Sequence, residues 1–232
     1  RPCDQGIGCT QLPSCLSAWF PFDEGAGTTA NEVAANRDGT IIGGVSSPTW
    51  APGSGGSPWA LGFPGLPGTQ KVVLPDYPEH DFGTGSFTIV AWIKTQMNDF
   101  VVRTILDKRD LPFTTPTGYN LYLYNGIFRF QYGDGSGPYH THVSTAPSVA
   151  DGQWHLVAVS ACRNPNNPAT NVVKLVVDGY VDTFTGPSIV TGSLSNNAGL
   201  VIGDQCPGFI VGTPFGGAID DVQLYKCCLS AD

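Results

Sequence analysis

GGAIDDVQLY, residues 216–225, sets two adjacent aspartates inside a run that otherwise reads as an apolar β-strand. Strict alternation places Ala218, Asp220, Val222 and Leu224 on one side and Ile219, Asp221, Gln223 and Tyr225 on the other. Asp220 then shares a side with aliphatic residues bound for a core, where a bare carboxylate is costly. It needs either a cation or the backbone amides of a neighbouring loop. Asp221, on the opposite side, is expected in solvent.

Outward from this stretch the chain repeats the same grammar. Strands are expected at SFTIVAWIKT, TILDK, YNLYLYNG, IFRFQYG, QWHLVAVSAC, VVKLVVDG and LVIGD, spaced as in a β-sandwich. Asn125-Gly126 and Asp178-Gly179 between such runs predict type I′ hairpins, so the sheets should be mainly antiparallel. In LSAWFPFDEGAG, Leu16, Ala18, Phe20 and Phe22 alternate with Ser17, Trp19 and Pro21, and the proline marks an edge strand. Residues 43–68 are rich in Gly, Pro and Ser, but Trp50, Trp59, Leu61 and Phe63 give them too much apolar surface for a solvated linker. They read as long turns around a short strand.

The composition agrees with an all-β chain: 30 Gly and 19 Pro in 232 residues, 11% aromatic residues, and no long apolar period of 3.6. One domain over 16–232 is expected, after a cysteine-bearing lead over 1–15 that is too short to bury a core. A net charge of −8, with only 11 Lys and Arg and no basic cluster, argues against nucleic acid as partner. No apolar run approaches the roughly 20 residues of a membrane helix, so membrane insertion is not expected. Seven cysteines without zinc or haem spacing point to an oxidising, extracellular setting, and the start at Arg1 is what a processed secreted chain shows.

Seven stretches, in order, carry a family resemblance: LSAWFPFDEGAGTTANEVAANRDGT, FGTGSFTIVAWIKT, TILDKRD, GYNLYLYNGIFRFQ, DGQWHLVAVS, VVKLVVDGYVDT and FGGAIDDVQLY. Together they resemble the bacterial laminin-G-like domains of the concanavalin A-like lectin/glucanase superfamily over about residues 16–230. The resemblance implies a jelly-roll β-sandwich of two curved antiparallel sheets, with a concave face or its rim as the usual binding surface. It also implies that the first and last strands lie side by side, often bridged by a structural calcium. Asp220, Asp23, Glu24, Asn36 and Asp38 would supply the hard oxygens that Ca²⁺ prefers. The loop NEVAANRDGT, residues 31–40, departs from the family's Asp- and Gly-rich pattern: Asn31 stands where an aspartate is usual.

If the terminal strands are neighbours, Cys15 could be bridged to Cys227 or Cys228, while Cys162 and Cys206 could meet at one sheet edge. Cys3 and Cys9 could pair with each other or with the vicinal pair. Seven is odd, so one thiol is free or joins another chain.

For a glycan, aromatic faces flanked by hydrogen-bonding groups are wanted. Asn120, Tyr122 and Tyr124 share one face of a strand, and Tyr139 follows nearby. His140 and His142 would lie on one side of a strand, but two imidazoles do not make a metal site. The chain has three glutamates, Glu24, Glu32 and Glu79, and neither a glucanase ExDxxE strand nor a G-x-S-x-G elbow. The expectation is a secreted, non-catalytic module that binds an extracellular glycan or glycoprotein and carries calcium. The rival reading is a structural or adhesive subunit of an extracellular assembly, self-associating through the odd cysteine.

Overall fold

The computed structural model describes residues 13–43, 49–65, 70–110, 114–186, 189–206 and 213–230. In chain order the strands are β1 (Leu16–Phe20), β2 (Thr29–Ala30), β3 (Gly39–Ile42), β4 (Thr49–Ala51), β5 (Ala60–Pro64), β6 (Lys71–Val73), β7 (Phe87–Lys94) and β8 (Val102–Asp110). They continue as β9 (Thr117–Tyr124), β10 (Ile127–Asp134), β11 (His140–Val143), β12 (Trp154–Cys162), β13 (Val172–Val177), β14 (Tyr180–Thr185), β15 (Val201–Ile202) and β16 (Gly216–Tyr225). Two antiparallel sheets result. The first runs β14-β13-β12-β7-β16-β5-β4, with β1 also on β16; the second runs β11-β10-β9-β8-β15-β6-β3-β2.

The alternation of β1 holds: Ala18 and Phe20, with Phe22 beyond, are fully buried in the core, which leaves Trp19 on the outer face of the first sheet. Phe87, Ile89 and Ile93 of β7 meet Leu121, Leu123 and Phe130 of the second sheet in the same core. Both hairpins form at the expected pairs, with φ of 53° and 68° at Asn125 and Gly126 and 48° and 85° at Asp178 and Gly179. The Gly/Pro/Ser-rich region supplies two strands, β4 and β5, paired with each other.

The chain ends meet as the resemblance implied. Leu16 pairs with Tyr225, Ala18 with Leu224 and Phe20 with Val222. A disulfide from Cys15 to Cys227 fixes this junction, and a second joins Cys162 to Cys228. The expected Cys162–Cys206 bridge is therefore wrong, because the vicinal pair reaches both β1 and β12. Cys206 is a free thiol, 3% exposed, its Sγ 3.2 Å from the Asp107 carbonyl oxygen. Burial pushes that thiol far up from its ordinary range. Cys3 and Cys9 lie outside the described residues.

Candidate functional site: a cleft on the outer face of the first sheet

Regular alternation fails in β16 at its two aspartates. Asp220 pairs with Trp92 and Gln223 with Val90, so Asp221 and Val222 together stand opposite Ala91. This is a β-bulge, and Asp221 takes the left-handed φ of 48° that such an insertion often needs. Its effect is a change of phase: Ile219, Val222 and Leu224 all reach the core. Asp220 thus does not share a side with Val222 and Leu224. It lies beside Trp92, on the outer face, and is buried there by the loop over residues 52–57.

Asp220 is 0% exposed and its two oxygens are both occupied. Ser54 N–H donates to Oδ2 at 2.7 Å and Asp221 N–H donates to Oδ1 at 2.9 Å. Burial raises its pKa to about 6 against the pull of the Ser54 contacts. The carboxylate acts as an anchor for a Gly-Ser loop, the second of the two partners its burial demanded.

The opening loop is organised in the same way. Glu32, buried, accepts Trp19 N–H (2.8 Å) and Ala34 N–H (2.7 Å) on Oε1, and Ala35 N–H (2.7 Å) and Arg37 N–H (3.2 Å) on Oε2. Asp38 Oδ1 accepts Glu32 N–H at 2.8 Å, and Glu24 Oε1 accepts Asn31 N–H at 2.7 Å. Glu24 has its pKa raised by burial. Asn36 sits at φ 56° in the turn. Of the five expected calcium ligands, Asp220, Glu24 and Asp38 accept backbone N–H groups and Asp23 accepts the Ser57 hydroxyl, while Asn36 sits in the turn and Glu24 Oε2 is buried without a hydrogen-bond partner among the described residues. Among the described residues no three His, Cys, Asp or Glu side chains gather as a metal would require. The donor set does not fit one Ca²⁺ held jointly by all five.

What these anchors frame is a cleft of about 440 Å³, lined by Trp19, Asp23, Ser54, Gly55, Gly56, Ser57, Trp92 and Asp221. Trp19 Nε1 donates to Asp221 Oδ1 at 2.8 Å, which fixes the indole and places the acid at the wall rather than in open solvent. Ser57 Oγ donates to Asp23 Oδ1 at 2.5 Å. The site therefore combines two indoles, two carboxylates, two hydroxyl-bearing residues and exposed backbone. None of the described residues that line it is basic.

The tyrosine platform takes a different form. Asn120 and Tyr122 are on one face of β9, as expected, but they are 1% and 7% exposed. Tyr124 and Tyr139 are half-buried, each under an arginine: Arg129 lies 4.7 Å from the Tyr124 ring centroid and Arg109 5.0 Å from that of Tyr139. Packing closes the face that sequence left open. His142 is buried against Tyr132 and Phe184, while His155 lies between Asp151 (2.9 Å) and Asp178 (2.6 Å). Sequence reasoning missed Trp19, Trp92, Ser57 and Asp221. The outward phase of β1 and β7 was the signal for the tryptophans.

Two face-to-face antiparallel sheets, closed where the chain's ends meet, define a jelly-roll sandwich with a surface cleft. The chain belongs to the concanavalin A-like lectin/glucanases superfamily: a laminin G family model so described matches residues 66–232. No curated protein matches the chain. Among solved structures, it is similar to the binding domain of Paraclostridial Mosquitocidal Protein 1, at TM-score 0.70 and 12% identity over 95% of this chain and 51% of that one. The binding domain of botulinum neurotoxin DC, solved in complex with rat synaptotagmin II, gives TM-score 0.63 and 12% identity over 94% and 49%. The same domain in complex with SialylT gives 0.59 and 10% over 90% and 49%. The chain spans about half the length of these structures, and at such identities the likeness is one of fold.

Proposed function

We propose that this chain is an extracellular, non-catalytic binding module that recognises an uncharged glycan, free or on a glycoprotein, through the cleft of the first sheet. The observation that carries the reading is the pairing of Trp19 and Trp92 with Asp23 and Asp221 around one concavity. The half-buried Trp92 supplies the indole surface on which a sugar ring stacks, Trp19 is a buried wall beside it, and carboxylate oxygens accept the sugar's hydroxyls. Carboxylates at the cleft wall disfavour sialylated, sulfated or uronic sugars, so the ligand class is neutral. The disulfides Cys15–Cys227 and Cys162–Cys228 support an oxidising compartment. Among the described residues no helix is long and apolar enough to cross a membrane.

The assembly reading loses its covalent link among the described residues, since Cys206 is buried within its own chain. The test is a glycan array carrying matched neutral and sialylated structures, with the soluble glycans re-examined for cleavage. Neutral glycans should bind, be recovered intact, and be lost at least tenfold in Trp92→Ala. Retention by Trp92→Ala at wild-type strength would remove the cleft from the account, and preference for sialylated members would overturn the charge argument.

A further inference from the structure

We propose that the cleft continues onto Trp59 as a second stacking subsite, so that the ligand is engaged across at least two sugar rings. This rests on the glycan reading of the cleft. Trp59 is 42% exposed, a large amount of indole surface to leave in water on a chain that buries Trp19. It is also held in place. A Cβ on Gly25 would fall 2.5 Å from Trp59 Nε1, 2.7 Å from Cε2 and 2.9 Å from Cδ1, so the pyrrole side of the ring rests directly on the glycine. Gly25 has φ of 64°, a conformation that suits glycine and keeps the seat bare.

The seat adjoins the cleft on both sides. Gly25 follows two residues after Asp23, a cleft wall, and Ser57 Oγ lies 2.5 Å from Asp23 Oδ1 and 3.0 Å from the Trp59 carbonyl oxygen. Ser57 thereby touches both the cleft's acid, to which it donates, and the backbone of the exposed indole. An indole fixed against glycine loses little conformational entropy on meeting a ligand, which is what a stacking platform needs. A ring stacked on Trp92 shares the cleft with Asp23, whose Ser57 contact leads to the segment that seats Trp59.

The experiment titrates the intact protein with neutral oligosaccharides of one to four units, β-linked glucose and β-linked N-acetylglucosamine series, by calorimetry. Wild type should gain about five- to tenfold in affinity from one unit to two. Trp59→Ala should bind the single sugar as wild type does and lose that gain. Gly25→Ala, which lifts the ring off its seat without deleting it, should lose part of it. Melting temperatures check that both variants are folded. A length gain intact in Trp59→Ala overturns the subsite and leaves the cleft standing. Absence of binding by every member, in wild type, overturns the cleft reading and the subsite with it. Dimerisation of wild type that Trp59→Ala abolishes assigns the exposed indole to a second copy instead.

Discussion

The outer faces of the two sheets carry similar residue types and use them in opposite ways. On the second sheet, Arg109 Nε and Nη2 donate to Asp107 Oδ1 and Oδ2 at 2.8 and 2.7 Å, and Arg109 Nη1 donates to Gln131 Oε1 at 2.8 Å. Gln131 Nε2 then donates to Thr141 Oγ1 at 3.0 Å, so a chain of hydrogen bonds reaches from β8 across to β11. On the first sheet, Asp221 holds the Trp19 indole N–H and Asp23 the Ser57 hydroxyl, and both border a concavity. The difference comes from the backbone. A regular ladder puts complementary side chains opposite each other until they close the surface, whereas a bulge beside a glycine-rich loop misaligns them and leaves capacity for a ligand.

The strongest test of that contrast is Asp107→Ala. Removing one member of a buried ion pair strands the other, and a loss of about 3–5 kcal/mol is expected by chemical denaturation. Asp107 is fully buried and Arg109 nearly so. Under conditions where the variant remains folded, glycan affinity should match wild type. A stability change below 1 kcal/mol would show that the second face is not the sealed network its geometry describes.

The fold was legible because its signals are local: alternation in β1, β7 and β12, and two X-Gly turns whose φ values follow from their residues. The site was only half legible. Asp220 was correctly singled out as a carboxylate in need of a partner, yet alternation misjudged its side, because one inserted residue reverses the phase and leaves no mark in composition. The tyrosines of β9 were placed on the right face, and burial there depends on cross-strand arginines no local pattern reveals. The Cys162–Cys206 pairing failed for a related reason: both lie at strand ends, but which ends meet is a matter of topology.

A smaller effect distinguishes the buried anchor Asp220 from the acids that only line the cleft. Its folded pKa of about 6 exceeds the ordinary value of 3.8, so the native state takes up a proton first. Stability contributed at this site is therefore greatest below about pH 4 and falls as pH rises toward 6, by about 3 kcal/mol at the limit. His80 and His142, held neutral by burial at about 4, act in the opposite direction over the same window, because protonating them costs stability as pH falls. The measurement is thus a difference: unfolding free energy of wild type minus that of Asp220→Asn, from pH 4 to 7. It should decline with rising pH, and a flat difference would mean that the carboxylate is not desolvated as its contacts imply.

The smallest effect concerns the cation. The calcium implied by the family resemblance would draw oxygens of the opening loop and closing strand onto one centre. Here the centre of the opening loop is itself an anion: four N–H groups, including that of Trp19, converge on Glu32, and two more converge on Asp220. Charge-assisted bonds from amide to carboxylate supply the cohesion that cation-to-oxygen bonds would otherwise provide. A chelator should accordingly leave the melting temperature unchanged, while Glu32→Ala, which strands those amides, should cost on the order of 2–4 kcal/mol. The two results are linked. A melting temperature that drops with EDTA and returns with Ca²⁺ would mean that a cation gathers these acids after all, by the linkage between ligand concentration and stability, and the first sheet's openness would then depend on metal rather than on its bulge.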